Sequence, residues 1–155
     1  MLFDEYYKLP EKTAASFQGG WFSAGDLATR DEDGYFQIVD RKDNMIITGG
    51  ENVYPSEIEE VIGSHECVFD CAIVGLPDDK WGEKVAAVVV RKPGLDESKI
   101  NEDTIRQCCQ SQMAGFKRPK EIIFIEDDEM PRTPTGKILH RKLREKFRNQ
   151  GGWKK

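Results

Sequence analysis

The chain has 155 residues, of which one third are charged and 38% hydrophobic, and its net charge is −5. That length suits one core and a small appendage, and the balance is that of a globular domain, not of a disordered or fibrous chain. No apolar run reaches the ~18 residues of a membrane span and no basic-then-apolar segment opens the chain as a secretory signal would, so a cytoplasmic location is expected.

Taken in chain order, residues 1 to about 40 read as a region apart. A short helix is expected over Glu11 to Phe17, a strand at Trp21-Phe22-Ser23, a turn at Asp31-Glu32-Asp33-Gly34 and a strand from Tyr35 to Val39. From Arg41 onward a compact α/β unit can be read. Met45-Ile46-Ile47 is a short strand. Pro55 suits the first turn of a helix, and Ser56-x-x-Glu59 has the spacing of a capping box, although Pro55 can shift the cap to Tyr54 or Val53. Ile58, Val61 and Ile62 form that helix's apolar face, and Gly63 stops it. Val68 to Val74 reads as a strand, with a turn over Gly75 to Asp79. Val85 to Val90 is continuous and rich in β-branched residues, the pattern of a buried central strand. Asn101 caps a helix whose first turn carries Glu102 and Asp103. Ile122 to Ile125 is the next strand. Leu139, Leu143 and Phe147 mark a final amphipathic helix. The fold class expected is α/β (α+β): a central three-stranded sheet flanked by helices, plus a short β-hairpin.

Charge is uneven. Lys117 to Lys155 holds twelve Lys/Arg against six Asp/Glu, and the remainder holds eleven against twenty-two. A basic tail of this kind suits a solvated helix face or a polyanionic ligand. The four cysteines lack metal-site spacing, so no metal is assigned. Ile105, Cys108, Cys109 and Gln112 share a helix face, which places both thiols near the core as small hydrophobes. His65 reads as a helix-end residue and His140 as a surface residue, neither with assigned chemistry.

Three blocks carry the chemistry. Gly20-Trp21-Phe22-Ser23-Ala24-Gly25-Asp26 comes first. Asp40-Arg41-Lys42-Asp43-Asn44-Met45-Ile46-Ile47-Thr48-Gly49-Gly50-Glu51-Asn52-Val53-Tyr54-Pro55 follows. Pro131-Arg132-Thr133-Pro134-Thr135-Gly136-Lys137-Ile138 closes the set. A lysine held by a Pro/Thr/Gly turn is a fixed positive charge on a loop, useful where negative charge develops, as in attack on a phosphate. By itself such a turn also fits a solvated basic loop.

In this order and spacing the blocks resemble the adenylate-forming enzymes: acyl-CoA synthetases, adenylation domains of peptide synthetases, and beetle luciferases. The resemblance runs from about Tyr6 to Phe147, and the Gly-Gly-Glu-Asn-Val-Tyr-Pro wording is most similar to fatty-acyl and aryl CoA ligases. It implies that residues 1–40 are the C-terminal end of a large adenylation domain and 41–155 a small mobile C-terminal domain. Nothing here resembles that large domain's phosphate loop or adenine pocket. The implied reaction makes an acyl-adenylate from a carboxylic acid, expected to be a fatty acid, and ATP, then transfers the acyl group to CoA. Mg²⁺ is expected to be held mainly by the large domain.

The resemblance also implies roles. Lys137 is the catalytic lysine of the first step. Asp26 and Arg41 contact the ribose of the nucleotide, where a carboxylate can meet a vicinal diol with charge-assisted bonds. Asp43 is the hinge about which the small domain turns between two poses. Gly49 and Gly50 border the pantetheine channel. Phe116, Arg118 and Lys120 offer an aromatic face and two cations to the nucleotide end of CoA. Ser23-Ala24-Gly25-Asp26 departs mildly from the commoner Thr-Gly-Asp wording. The expected partners are small-molecule substrates and the large domain, with no nucleic acid and no membrane span. Two other classes stay open on the sequence: an adenylation domain that loads a carrier protein, and a non-enzymatic nucleotide- or nucleic-acid-binding module built on the basic tail.

Overall fold

The computed structural model describes residues 3–95 and 100–148. The chain divides into two compact units, Met1–Asp43 and Asn44–Lys155.

The first unit holds helix α1 (Pro10–Ser16) and two small antiparallel ladders. Strands β1 (Phe17–Gln18) and β2 (Trp21–Phe22) form one, β3 (Asp26–Arg30) and β4 (Phe36–Arg41) the other. Phe3, Tyr6, Phe17 and Phe22 gather with ring centroids 4.8–6.2 Å apart. Among its described residues none is buried. Trp21, Tyr35, Phe36 and Ile38 are each more than two-thirds exposed.

The second unit contains the core. Its strands are β5 (Ile46–Thr48), β6 (Glu51–Val53), β7 (Val68–Asp78), β8 (Gly82–Arg91) and β9 (Glu121–Ile125), and its helices are α2 (Pro55–Gly63), α3 (Glu102–Gln110) and α4 (His140–Arg148). Strand β8 is the axis. It pairs with β7 antiparallel along one side. On the other side it pairs with β9 in parallel, Ala86↔Glu121 to Val90↔Ile125, and with β5 at Thr48↔Gly82. The expected class is the one observed. The three central strands are β7, β8 and β9, and the β5–β6 hairpin extends them to five.

Both faces of this sheet are covered, which is why β8 reads as an unbroken apolar run. On one face Val85, Ala87 and Val89 pack with Ile58 and Ile62 of α2 and Ile105 and Cys109 of α3. On the other, Ala86, Val88 and Val90 pack with Leu143 and Phe147 of α4 and with Met130.

Two local readings need correction. The strand expected to end at Val74 continues to Asp78 as β7. Pro77 is tolerated because β7 is an edge strand, where a missing N–H breaks no ladder bond. The reversal instead follows at Asp78, whose Oδ1 accepts from the amides of Lys80 (3.0 Å) and Trp81 (2.9 Å). Of the caps left open for α2, the structure takes Tyr54 and not the Ser56–Glu59 box. Tyr54 is the N-cap and uses no side-chain bond, while Pro55 supplies the first helical position. Glu59 is engaged elsewhere, as described below. The Asn101 cap does form: its Oδ1 accepts from Thr104 N–H at 3.0 Å.

The thiols are core groups. Cys71 and Cys109 are buried, and Cys108 is half-buried. Cys71 Sγ lies 3.5 Å from the Glu59 carbonyl of α2, and Cys108 Sγ 3.5 Å from that of Val61. Burial, with Glu59 and Asp70 nearby, pushes the Cys71 thiol from 9.0 up to about 12, and burial pushes Cys109 up to about 11. At pH 8 both should resist iodoacetamide in the native chain and label readily once unfolded, as read by mass spectrometry, because the thiolate is the reactive form. Between about pH 9 and pH 12 the unfolded chain loses these protons while the native chain keeps them. Stability should therefore fall with rising pH across that window.

Candidate functional site

Lys137 lies in the second unit on a tight hairpin loop. The loop's limbs are joined by an isolated antiparallel bridge between Arg132 and Ile138. Thr133 N–H donates to the Lys137 carbonyl at 2.8 Å, and Gly136 N–H to the Thr133 carbonyl at 2.9 Å. Lys137 N–H donates to Thr133 Oγ1 at 3.1 Å, which itself lies 2.9 Å from Thr135 Oγ1. Gly136 has φ 86°, the left-handed geometry that closes a three-residue hairpin loop. Pro134 stiffens the turn at the position where its fixed φ is favoured. The Lys137 backbone is thus well defined and its side chain exposed. Among the described residues no carboxylate pairs with its ammonium group.

The limbs of the loop are anchored. Arg132 Nη2 is 2.6 Å from Asp70 Oδ2 and 2.9 Å from Asp127 Oδ1. The hydrogen bonds to Asp127 and then Asp70 raise the guanidinium pKa above its ordinary value. On the other limb, His140 Nε2 lies 2.7 Å from Glu59 Oε1. The surface reading of His140 is therefore corrected: its side chain is only 16% exposed, because α4 begins against the β7 edge. Sequence spacing could not reveal this pair, whose members are 81 residues apart.

Asp26 and Arg41 lie in the first unit, and the structure brings them together. They are directly opposite across the β3–β4 ladder. Arg41 Nε sits 3.2 Å from Asp26 Oδ1. The Gly25 carbonyl accepts from Lys42 N–H at 2.8 Å, which closes the end of the ladder. Asp26 keeps Oδ2 without a protein partner among the described residues. Asp43 is the last residue of the first unit.

Gly49 and Gly50 form the two-residue turn between β5 and β6, with φ 60° and 88°. Two successive positive φ values are what a tight hairpin requires. Gly49 N–H donates to the Trp81 carbonyl at 2.9 Å. A Cβ on Gly49 would come within 2.9 Å of the Trp81 ring, whereas one on Gly50 would meet nothing within 4 Å. Trp81 is a neighbour that sequence reasoning missed. It is 45% exposed, with Lys80 Nζ 4.6 Å from its ring centroid. Its place just before β8, far from any motif block, gave no signal.

Phe116, Arg118 and Lys120 occupy the segment that leads into β9. Phe116 and Lys120 are exposed. Arg118 Nε donates to the Met113 carbonyl at 3.1 Å and Nη2 to the Gln110 carbonyl at 2.8 Å, so its guanidinium ties this segment to the end of α3. Lys120 N–H donates to the Val85 carbonyl at 2.8 Å. Sheet topology thus places both groups of residues along the same side of β8 near its start, the glycine turn beside Gly82 and the Phe116 segment beside Val85. Three residue steps of strand separate them, about 10 Å. Among the described residues no cluster of three or more His, Cys, Asp or Glu side chains is arranged to hold a metal ion. Among the same residues no helix is long and apolar enough to cross a membrane.

Over residues 57–137 the chain matches the family described as the AMP-binding enzyme C-terminal domain. It is 47% identical over 147 residues to a long-chain-fatty-acid–CoA ligase of Mycobacterium tuberculosis, a match that covers 95% of this chain and 28% of the relative. It is 43% identical over 141 residues to a 2-succinylbenzoate–CoA ligase of Listeria monocytogenes, covering 91% and 29%. Its fold is similar to that of ATP-bound MatB from Rhodopseudomonas palustris, with a TM-score of 0.84 and 40% identity over 96% of this chain and 29% of that one. The chain spans less than a third of the length of these relatives.

The two glycines of the turn should respond differently to substitution. Gly49→Ala and Gly50→Ala each incur the left-handed penalty of roughly 1–2 kcal/mol. Only Gly49→Ala also forces the Trp81 ring to move. Thermal melts should show the larger loss for Gly49→Ala, with a changed tryptophan emission, and the smaller for Gly50→Ala.

Proposed function

The chain belongs to the AMP-binding enzyme C-terminal domain family, and from that premise we propose that it serves an AMP-forming acyl-CoA ligase as the small, lysine-bearing part. In the first half-reaction a carboxylate oxygen attacks the α-phosphorus of ATP and the bond to pyrophosphate breaks. In the second, the sulfur of CoA attacks the acyl carbonyl carbon and AMP leaves. Negative charge builds on the reacting oxygens in the first step, and a preorganised cation there lowers its barrier.

The observation that carries this reading is the state of Lys137. Arg132 and Lys146, which flank its loop and helix, are committed to ion pairs with Asp70, Asp127 and Glu129. Lys137 projects from a stiff hairpin with no such partner among the described residues. An ammonium left free on an ordered loop is available to a carboxylate and a phosphate at once, and its flexible stem can follow their oxygens.

The remaining roles belong to the same proposal. Asp26, with Oδ2 open and Oδ1 held by Arg41, presents an oriented carboxylate to a ribose diol. Asp43 is the hinge, a reading supported by its position at the boundary between the two units. Residues 1–40 are the end of a larger adenylation domain. In support, their exposed Trp21, Tyr35, Phe36 and Ile38 form apolar surface that the unit does not bury itself. CoA would pass the Gly49–Gly50 turn and meet Phe116, Arg118 and Lys120. The open space beside Gly50 and the exposed Trp81 and Phe116 rings suit pantetheine and adenine. Here Arg118 mainly shapes the segment, and Lys120 supplies a charge with no ion pair among the described residues. Mg²⁺ would come with ATP and be held mainly outside this chain. A fatty acid is the proposed acyl substrate class, after the M. tuberculosis relative.

In the full-length protein Lys137→Ala should slow acyl-adenylate formation roughly 10²–10³-fold and leave thioester formation from supplied acyl-adenylate nearly unchanged. Single-turnover pyrophosphate release and acyl-CoA assays separate the two. An equal loss in both half-reactions would refute the assignment. Gly50→Leu should do the reverse, with acyl-adenylate accumulating while acyl-CoA production collapses. Normal acyl-CoA production by the folded variant would reduce Gly50 to a turn residue. The 155-residue chain alone should release no pyrophosphate above background with fatty or aryl acids.

A further inference from the structure

Among the described residues no strand pairs with the outer edge of β7, whose backbone amides face away from β8. Two of these are met by carboxylates. Cys71 N–H donates to Asp70 Oδ1 at 2.8 Å, and Ile73 N–H donates to Glu59 Oε1 at 2.8 Å. The same two carboxylates hold the two limbs of the Lys137 loop. Asp70 uses its other oxygen for Arg132, at 2.6 Å, and Glu59 uses Oε1 for His140 Nε2, at 2.7 Å. Arg132 lies five residues before Lys137 and His140 three after it. Between them the loop is closed by the Arg132–Ile138 bridge and by Leu139 N–H donating to the Pro131 carbonyl at 2.8 Å.

We propose that Glu59 and Asp70 are positioning residues for Lys137, which they set in place by fastening both limbs of its loop to the β7 edge. The proposal rests on the reading of Lys137 as the adenylation lysine. Its physical basis is geometric. A loop pinned at one limb can pivot about that limb, while a loop pinned at both, with a bridge between, keeps the base of the Lys137 side chain at one height above the sheet. All four anchoring side chains are 29% exposed or less, so the pairs are partly shielded from solvent and held by packed elements on both sides. The arrangement also explains why Glu59 makes no helix cap. Its carboxylate is turned toward the sheet edge.

The test uses isosteric substitutions. Glu59→Gln and Asp70→Asn keep an oxygen for the Ile73 and Cys71 amides but remove the Glu59 charge beside His140 and one of the two charges on Arg132, which keeps Asp127 at 2.9 Å. In the double variant of the 155-residue chain, amide exchange at Gly136 and Lys137 should quicken about tenfold or more, as local opening becomes easier, while Val88 in the central strand keeps its protection. In the full-length protein the same variant should lose about 10–100-fold in the single-turnover rate of acyl-adenylate formation, the scale of a misplaced catalytic group. KM for the acid should change less than kcat, and the thioester step should be spared. His140→Ala should behave like Glu59→Gln, and His140→Arg, which again offers Glu59 an N–H donor, should recover most of the rate.

Unchanged exchange at Gly136 and Lys137 in the folded double variant would overturn the proposal. So would a parallel fall of both half-reactions with the melting temperature, since that would make the anchors mere supports of the fold. If instead Lys137→Ala left adenylation intact, the reading of Lys137 would fail on its own, and the exchange measurement would still decide whether the carboxylates hold the loop.

Discussion

Strand β8 must bury both of its faces, and the rest of the second unit follows from that demand. Val85, Val88 and Val89 are almost wholly inaccessible. A strand with apolar residues on both faces needs helices above and below, and it needs partners on both sides to receive its backbone groups. Helices α2 and α3 cover one face and α4 the other, while β7 and β9 take the two sides. The elements to which we assign chemistry are then connections this scaffold leaves at its margins. The glycine turn and the Phe116 segment lie along one side of β8, and the Lys137 loop is anchored at the outer edge of β7. Functional residues on loops set by a rigid sheet are the usual division of labour.

The edge of β7 shows how one structural liability can be put to use. An exposed strand edge with unpaired amides invites pairing with another chain. Here Asp70 and Glu59 cover two of those amides and, with the same carboxyl groups, hold Arg132 and His140. Pro77 further along the strand contributes no amide at all. Satisfying the backbone and holding a loop are thus done by the same two carboxyl groups, Glu59 through one oxygen and Asp70 through its two.

The first unit stands in contrast. It has hairpins and an aromatic cluster, yet no described residue in it is buried. Small ladders of two strands are marginal without a layer to pack against. Its Asp26–Arg41 pair is nevertheless well placed, because cross-strand register in a short hairpin is a local matter. Local geometry can orient a polar pair without a core, but the exposed faces of Phe36 and Ile38 have no such local remedy.

Much of this was legible in the sequence. The continuous run Val85–Val90 announced a strand covered on both faces, because burial on two sides removes the polar alternation. Asn101, followed by Glu102 and Asp103, announced a helix start, since capping is a contact between residues a few positions apart. Gly49-Gly50 and Thr133-Pro134-Thr135-Gly136 announced turns, because only certain residues accept those dihedrals. The resemblance carried by Asp26, the Arg41–Pro55 block and Lys137 led to the family. What the sequence could not announce were relations between residues distant along the chain. Ser56-x-x-Glu59 looked like a cap because the spacing was right. The sheet edge competed for the Glu59 carboxylate and won, through an amide 14 residues on and an imidazole 81 residues on. His140 looked like surface because nothing near it in sequence needed it. Trp81 looked unremarkable until the β5–β6 turn was set beneath its ring. Local chemistry, read residue by residue, determined most of the elements and, through the resemblance, the family. The partners of Glu59, Asp70, His140 and Trp81 were decided only in the tertiary structure, since a side chain's reach is a few ångströms in space and the sequence records only distance along the chain.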